Sequence, residues 1–445
     1  MLIRAFIVLA LITTVLVGGG LLAQGTIHHA GSVSHYLDQI GGKSADELAE
    51  TAISNNLELN AMRQEVEAGA ALIRQARLRP NPSLEVGGTR QIGGMGSNSV
   101  MVQGALPLEL GGRRSARIRV AEVELEIRQR ALQEKERQLA AEVRAKFAES
   151  LAVIFKLSFV EELLSESQQH LDLVKAKVSE GRRPPLEESM ETVELNRVRA
   201  EREIAEGMVE VRLLELRNLV NMPPDSPLQL KGDLDTLKTD LPPLVGAEQK
   251  ALQSRPDLLG AMAVERLEAA RTEQAQSEGR IDADVMIGFQ RMRNGFPFLG
   301  VEEATGALLP IRERMNVLTF GVRLNLPVRN RNQGLLAASA LEEQAARSRR
   351  EFGELTVRRE VVAAYTRYNR AIRATEIYRV GVRERAAANL DVVRQTYELG
   401  SKTLLDFISE HHRYIQIENG FIDAQLESYL AMVEVLKALN DPKLR

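Results

Sequence analysis

Two stretches, residues 112–180 and 330–399, run without a single proline and are dominated by Ala, Glu, Arg, Leu and Gln. That is the composition of long helices. At about 1.5 Å per residue, about 65 helical residues make a rod of roughly 100 Å. A compact globular domain has no use for two such rods. Aromatic residues make up only 4% of the chain and tryptophan is absent, too few for the several compact cores that 445 residues could otherwise build. The chain therefore reads as one extended molecule whose rods need partners along their length.

Each rod is preceded by strand-like alternation. In residues 83–92, Leu84, Val86 and Ile92 share a side against Glu85, Thr89 and Gln91. In residues 99–110, Val100, Val102, Leu106 and Leu108 oppose Ser99, Gln103 and Glu109. Residues 93–98 (GGMGSN) read as the turn of this hairpin. Residues 282–293 place Val285, Ile287 and Phe289 opposite Asp284, Met286 and Gln290. After a Gly- and Pro-bearing loop over 294–314, residues 316–328 place Leu318, Phe320, Val322, Leu324 and Leu326 opposite Thr319, Gly321, Arg323 and Asn325.

The pattern is an internal duplication. Leu59, Ala61, Met62 and Glu65 are matched by Leu259, Ala261, Met262 and Glu265, and the turn at Gly181 by the turn at Gly400. The first repeat, residues 44–243, reads as a helix opened by Ser44 with Glu47 as its capping-box partner, then two strands and the rod. A return helix over 186–221 and a proline-rich connector over 222–243 complete it. The second repeat, residues 244–445, reads as a helix, two strands, the rod and a return helix over 403–440.

Residues 1–23 combine a positive start at Arg4, an apolar run over 5–17 and small residues up to Ala23, and predict a cleaved export signal. The apolar run is short for a retained transmembrane helix. Residues 24–43 read as a polar leading tail. Net charge is −3 and cysteine is absent. There is no basic excess for nucleic acid, and thiolate metal sites and cysteine nucleophiles are excluded. No zincin, phosphate-loop, dinucleotide or nucleophile-elbow motif occurs, so neither an enzyme nor a cofactor is expected.

Four strands of about ten residues with one greasy face have the length to cross a bilayer at a tilt. A bilayer tolerates no open sheet edge, and four strands cannot close a barrel. Several copies must then contribute, and three would supply twelve strands, with the helices continuing as a tube. The expected fold class is mainly α with a transmembrane β-barrel contribution.

Five segments in order resemble the TolC-type outer-membrane efflux proteins, and among them the CzcC-like heavy-metal branch. These are RQARLRPNPSLEVGG, LPLELGGRRSARIRVAEVELE, SRPDLLGAMAVE, LNLPVRNRNQG and the closing YELGSKTLLDFISEHHRYIQIENGFIDAQLESYLAMVEVLKAL. The resemblance implies a homotrimer with a twelve-stranded barrel in the outer membrane and a periplasmic helical tunnel. Its implied partners are a periplasmic adaptor and an inner-membrane RND transporter, with metal cations as the expected cargo. Drug efflux or type I protein secretion by the same duct is an alternative, and a soluble periplasmic coiled-coil adaptor is the rival of a different class.

On that resemblance the turns at Gly181 and Gly400 are candidate adaptor-docking tips. Lys402 and Asp406 are candidates for the tunnel gate, where three acidic side chains would ring the axis; a solvated helix-face carboxylate is the plainer role for Asp406. By alternation Glu85, Gln103, Asp284, Gln290, Arg323 and Asn325 are expected to face the barrel lumen. His28, His29 and His35 lack carboxylates at ligand spacing, His411 and His412 point to different faces of one helix, and His170 stands alone in the sequence, so no metal site is expected.

Overall fold

A computed structural model describes residues 33–92, 96–235 and 240–444. The expected export signal over 1–23, together with His28 and His29, lies outside the described residues. The first half runs α1 (Val33–Tyr36), α2 (Ala45–Asn55), α3 (Leu57–Ala76), β1 (Ser83–Arg90), β2 (Asn98–Pro107), α4 (Arg113–Ser179) and α5 (Pro185–Leu219). The second runs α6 (Ala247–Ser254), α7 (Pro256–Glu278), β3 (Asp282–Val301), β4 (Leu308–Asn325), α8 (Gln333–Glu376), a π-helical segment Ile377–Arg383, α9 (Glu384–Glu398) and α10 (Leu404–Leu439). The four strands form one antiparallel sheet in the order β1-β2-β3-β4, with β1 and β4 as its edges.

Four sequence expectations need correction. The helix expected from Ser44 breaks at Asn56, whose side-chain oxygen accepts the backbone N–H of Leu59 at 3.0 Å and so caps α3. An Asx cap that competes with helix continuation is why. The second repeat breaks at the matching place, where Pro256 opens α7, so the duplication extends to this kink. Residues 33–43 are not a free tail. Leu230 donates to the Tyr36 carbonyl at 2.9 Å and Lys43 donates to Gln229 at 2.8 Å, clasping this segment to the connector, and Tyr36 is buried.

The loop expected over 294–314 is largely strand, because β3 and β4 pair as far as Val301↔Leu308, with a register shift between Gly295 and Leu299. Pro310 is tolerated there because β4 is an edge strand. The second rod, finally, is not α-helical throughout. It passes through the π-helical segment, where a Cβ added at Gly420 of α10 would lie 2.9 Å from the Tyr378 hydroxyl. Close approach of the two helices fixes that glycine.

The core lies where the helices bundle. Phe147, Leu151 and Ile154 of α4 pack with Leu213 and Leu216 of α5 and with Tyr429, Met432 and Leu436 of α10. A second cluster joins Ala251, Leu258, Val361 and Val435. Each large apolar side chain so buried stabilises the fold by about 1.5–3 kcal/mol. Towards the hairpin turns the apolar core thins to Val160, Leu163, Val198 and Ile415, and polar contacts take over.

A buried ionic cluster ties four helices beside the Arg255–Pro256 break. Arg255 reaches Asp257 at 2.5 Å and Glu360 of α8 at 2.6 Å. Arg137 of α4 reaches Glu134 at 2.7 Å and Asp257 at 3.8 Å, and donates to the Lys437 carbonyl of α10. Burial alone would raise the Asp257 carboxyl, but Arg255 and then Arg137 outweigh it and hold it below the usual range.

Candidate functional site

The sheet's two faces differ in chemistry. Direct cross-strand partners share a face, and Glu85↔Gln103, Gln103↔Gly288 and Gly288↔Thr319 define one of them. Asp284 lies opposite Arg323 and Asp282 opposite Asn325 on that same face, and Gln290 lies opposite Met101 and Val317. All six residues expected in a lumen therefore stand on one side. Sequence reasoning placed Met286 beside them but did not single out the other methionines of this face. Met101, Met286, Met292 and Met315 share this face, with Met292 directly opposite Met315, and the alternation that placed Gln103 would have placed them too.

The other face is apolar over the half nearer the helices. Its rows are Leu84–Gly104–Ile287–Phe320, Val86–Val102–Phe289–Leu318 and Leu106–Val285–Val322. These side chains are bare: Leu84 is 73% exposed and Phe320 80%. A continuous apolar face of this extent does not face water in a stable soluble protein. No described helix is long and apolar enough to cross a membrane, so the sheet is the one described element with a membrane-compatible surface. Its outer strands β1 and β4 each leave one backbone edge unpaired.

At the far end of the rods both repeats close with the same turn. Gly181 has φ +72° and Gly400 φ +79°, the left-handed conformation that glycine adopts without strain. Gly181 N–H donates to Val178 and Arg182 N–H to Lys177, each at 2.9 Å. Gly400 N–H donates to Tyr397 and Ser401 N–H to Thr396, again at 2.9 Å. These are Schellman caps, which satisfy the last helical carbonyls.

Beside Gly400 the candidate gate carboxylate is engaged. Asp406 accepts the Thr403 backbone N–H at 3.0 Å and the Thr403 hydroxyl at 2.8 Å, while its own N–H donates to that hydroxyl at 3.2 Å. This is a capping box at the start of α10. The Thr403 N–H, then its hydroxyl, hold the Asp406 carboxyl below its ordinary value, with Lys402 contributing less. The carboxylate therefore stays ionised and exposed at the tip while serving as a cap.

The two tips are also joined to each other. Tyr397 donates its hydroxyl to Glu187 at 2.9 Å. Arg183 donates to the Tyr397 carbonyl at 3.1 Å, and its guanidinium lies 4.7 Å over the Tyr397 ring. His170, which looks isolated in sequence, packs against Tyr397 and Phe407 with ring centroids 5.9 and 5.0 Å apart. Its Nδ1 lies 3.1 Å from the buried Glu191 carboxylate, too poorly aligned to form a hydrogen bond.

One turn further along α5, Glu194 accepts from Arg197 at 2.6 Å and pairs with His412 Nε2 at 2.9 Å. Burial would raise the Glu194 carboxyl, but Arg197 and then His412 hold it low. His411 is buried against Phe407, and desolvation pushes its imidazole below the ordinary histidine value. The two adjacent histidines do point apart, to Phe407 and to Glu194. A signal for this cluster existed in the spacing of Glu187, Glu191 and Glu194, which places three carboxylates on one stripe of α5. Among the described residues no group of three or more His, Asp or Glu side chains is arranged to hold a metal ion.

A sheet with one bare apolar face, set on helical hairpins on the order of 100 Å long, is the TolC-like fold. The outer membrane efflux protein family model matches residues 48–222 of this chain. That is a family of channels rather than enzymes. The chain is 24% identical over 393 residues to the cobalt-zinc-cadmium resistance protein CzcC of Cupriavidus metallidurans, covering 87% of this chain and 88% of the relative. Among solved structures it matches a membrane protein from Pseudomonas aeruginosa with TM-score 0.72 at 20% identity, over 89% of this chain and 92% of that one. It matches CusC, described as forming a transmembrane channel, with TM-score 0.72 at 17% identity, over 92% and 95% of the two chains. These likenesses establish the fold.

Proposed function

We propose that this protein is one third of a homotrimeric exit duct in the outer membrane, the passive last stage of a tripartite RND-type efflux system, with heavy-metal cations as cargo. The observation that carries the reading is the bare apolar face of a sheet with two open edges. Three copies pairing β1 of one with β4 of the next close twelve strands and leave no edge in lipid. The helices then extend into the periplasm as a tunnel, with the turns at Gly181 and Gly400 at its far end, where an adaptor docks. Glu85, Gln103, Asp284, Gln290, Arg323 and Asn325 line the wet lumen, and Lys402 and Asp406 sit at the mouth. Transporter and adaptor supply energy and selection, and the duct performs no catalysis. The similarity to a cobalt-zinc-cadmium resistance protein favours metal cations over drugs or secreted protein.

Fractionation tests the assembly. The protein should require detergent and run as a trimer with heat-modifiable β-structure, whereas a detergent-free monomer would sink the reading in favour of a soluble adaptor. Cargo is tested by growth of a deletion strain on zinc, cobalt, cadmium, copper and drugs. Sensitivity to drugs alone would exclude the metal assignment.

A further inference from the structure

Distal to the helices the apolar face of the sheet is interrupted by charge before apolar side chains resume at Leu299, Val301 and Leu308 in the extended β3–β4 hairpin. The row Val86–Val102–Phe289–Leu318 is wholly apolar, but the next row outward holds Arg291 between Val100 and Asn316. The row beyond is Arg90–Asn98–Arg293–Arg314, and Arg312 follows opposite Gly295. Five arginines on three strands thus occupy three consecutive rows of one face. All five are exposed.

Many arginines of the helical bundle are paired, among them Arg117 with Glu109 at 2.6 Å, Arg197 with Glu194 at 2.6 Å and Arg350 with Glu265 at 2.7 Å. Among the described residues none of these five has a carboxylate partner, and the adjacent Glu313 points to the opposite face. Arg293 and Arg314 stand directly across from each other, an arrangement of like charges that destabilises a sheet unless an anion lies between them.

The position of the cluster selects the anion. From Leu318 to Leu324 the apolar side of β4 forms a band roughly 20 Å long along the strand. The arginines begin where that band stops. Outer-membrane barrels normally anchor their rims with Trp and Tyr. This chain has no tryptophan, and no tyrosine falls in any of the four strands. Guanidinium groups stand in their place. Arginine can lay its methylenes on the apolar row while its planar head grips a phosphate with two parallel hydrogen bonds. A soluble anion would have no use for the adjoining Val86 and Leu318, whereas acyl chains would.

We propose that Arg90, Arg291, Arg293, Arg312 and Arg314 form a binding site for the phosphate groups of anionic membrane lipids, at the bilayer surface distal to the helical tunnel. The inference rests on the reading of the sheet as part of a membrane barrel.

The test reconstitutes the full-length protein into phosphatidylcholine vesicles containing a minor fraction of phosphatidylglycerol, re-extracts it gently, and measures the anionic lipid retained per protomer by native mass spectrometry. Wild type is expected to be enriched in phosphatidylglycerol over the bulk ratio. Arg293→Gln/Arg314→Gln should lower that preference by about tenfold or more, while Arg293→Lys/Arg314→Lys, which keeps charge but loses the paired hydrogen bonds, should retain part of it. The Lys variant guards against misfolding of the Gln variant. Insertion with no enrichment, or enrichment equal in wild type and the Gln variant, overturns the proposal alone. Displacement of the lipid by millimolar inorganic phosphate overturns it as well, because the site would then be a general anion site. Failure of wild type to insert into any vesicle overturns the barrel reading and the proposal together.

Discussion

The Tyr397 hydroxyl donates to the Glu187 carboxylate across 2.9 Å, joining side chains 210 positions apart. It couples the start of α5, in the first repeat, to the end of α9, in the second. Burial, then the bond to Glu187, raises the phenol well above its ordinary value, so the hydroxyl keeps its proton throughout the working pH range. A hydrogen bond to a charged partner contributes about 1.5–3 kcal/mol. Tyr397→Phe should therefore loosen the junction without disturbing the bundle core. Amide exchange near the turns at Gly181 and Gly400 is expected to rise by roughly tenfold or more, with α4 around Phe147 unchanged. Unaltered exchange at the turns would show that Arg183 holds the tips without Tyr397.

Acid should loosen the same region through His411. Its folded value lies below the ordinary 6.5, so the native state binds fewer protons than the unfolded one. Stability is then complete above about pH 6.5 and falls as pH drops from there towards the folded value, by at most about 1.4 kcal/mol per pH unit for one proton. Glu194 and Glu191 oppose this shift, while His412 and Arg197 reinforce it. Melting curves at pH 7.5, 6.5 and 5.5 should show His411→Asn losing less stability on acidification than wild type. Parallel losses would assign the acid sensitivity elsewhere.

The ionic cluster around Arg255 predicts a larger effect. Breaking a fully buried ion pair costs about 3–5 kcal/mol; Asp257 is 36% exposed and Glu360 51%, so solvent screening brings the cost here below that range. Asp257→Asn leaves Arg255, whose side chain is 4% exposed, with only Glu360. Because the Asp257 carboxyl is held below its usual value, its contribution is present above about pH 4 and is lost as pH falls through the folded value. Urea unfolding at pH 7 should show the full deficit, and the gap from wild type should narrow in strong acid. A deficit independent of pH would point to lost packing instead.

Periodicity alone makes the repeat and the two faces of the sheet legible in the sequence. Leu84 and Val86 flank Glu85, and Phe320, Val322 and Leu324 alternate with Thr319, Arg323 and Asn325, and a period of two admits only one assignment of faces. What could not be read depends on contacts between distant segments. Asn56 breaks a helical pattern by capping, and Tyr36 is ordered only because Leu230 pairs with its carbonyl. Residues 294–301 look like a loop because glycine and proline read as breakers, yet β4 gives them a partner. His170 looks solitary because Glu191, Tyr397 and Phe407 reach it from other helices. The arginine row was written in the alternation, but its meaning needed the register that sets Arg293 against Arg314.

The faces of the sheet supply the sharpest test of the membrane reading. Phe320 and Thr319 are neighbours on β4 but point to opposite sides, Phe320 beside Ile287 and Thr319 beside Gly288. If the apolar face meets lipid, Phe320→Arg places a guanidinium near the middle of the apolar band and costs about 2–4 kcal/mol. Thr319→Arg places the same group in the lumen, where water solvates it. In a folding assay with lipid vesicles Phe320→Arg should lose insertion yield or heat-modifiable trimer, and Thr319→Arg should insert like wild type with altered ion selectivity in planar bilayers. In a soluble sheet the order would reverse or vanish, because the 80%-exposed Phe320 would gain solubility as arginine. The two substitutions differ by one position and carry the same charge, so their contrast reports the solvent on each face and nothing else.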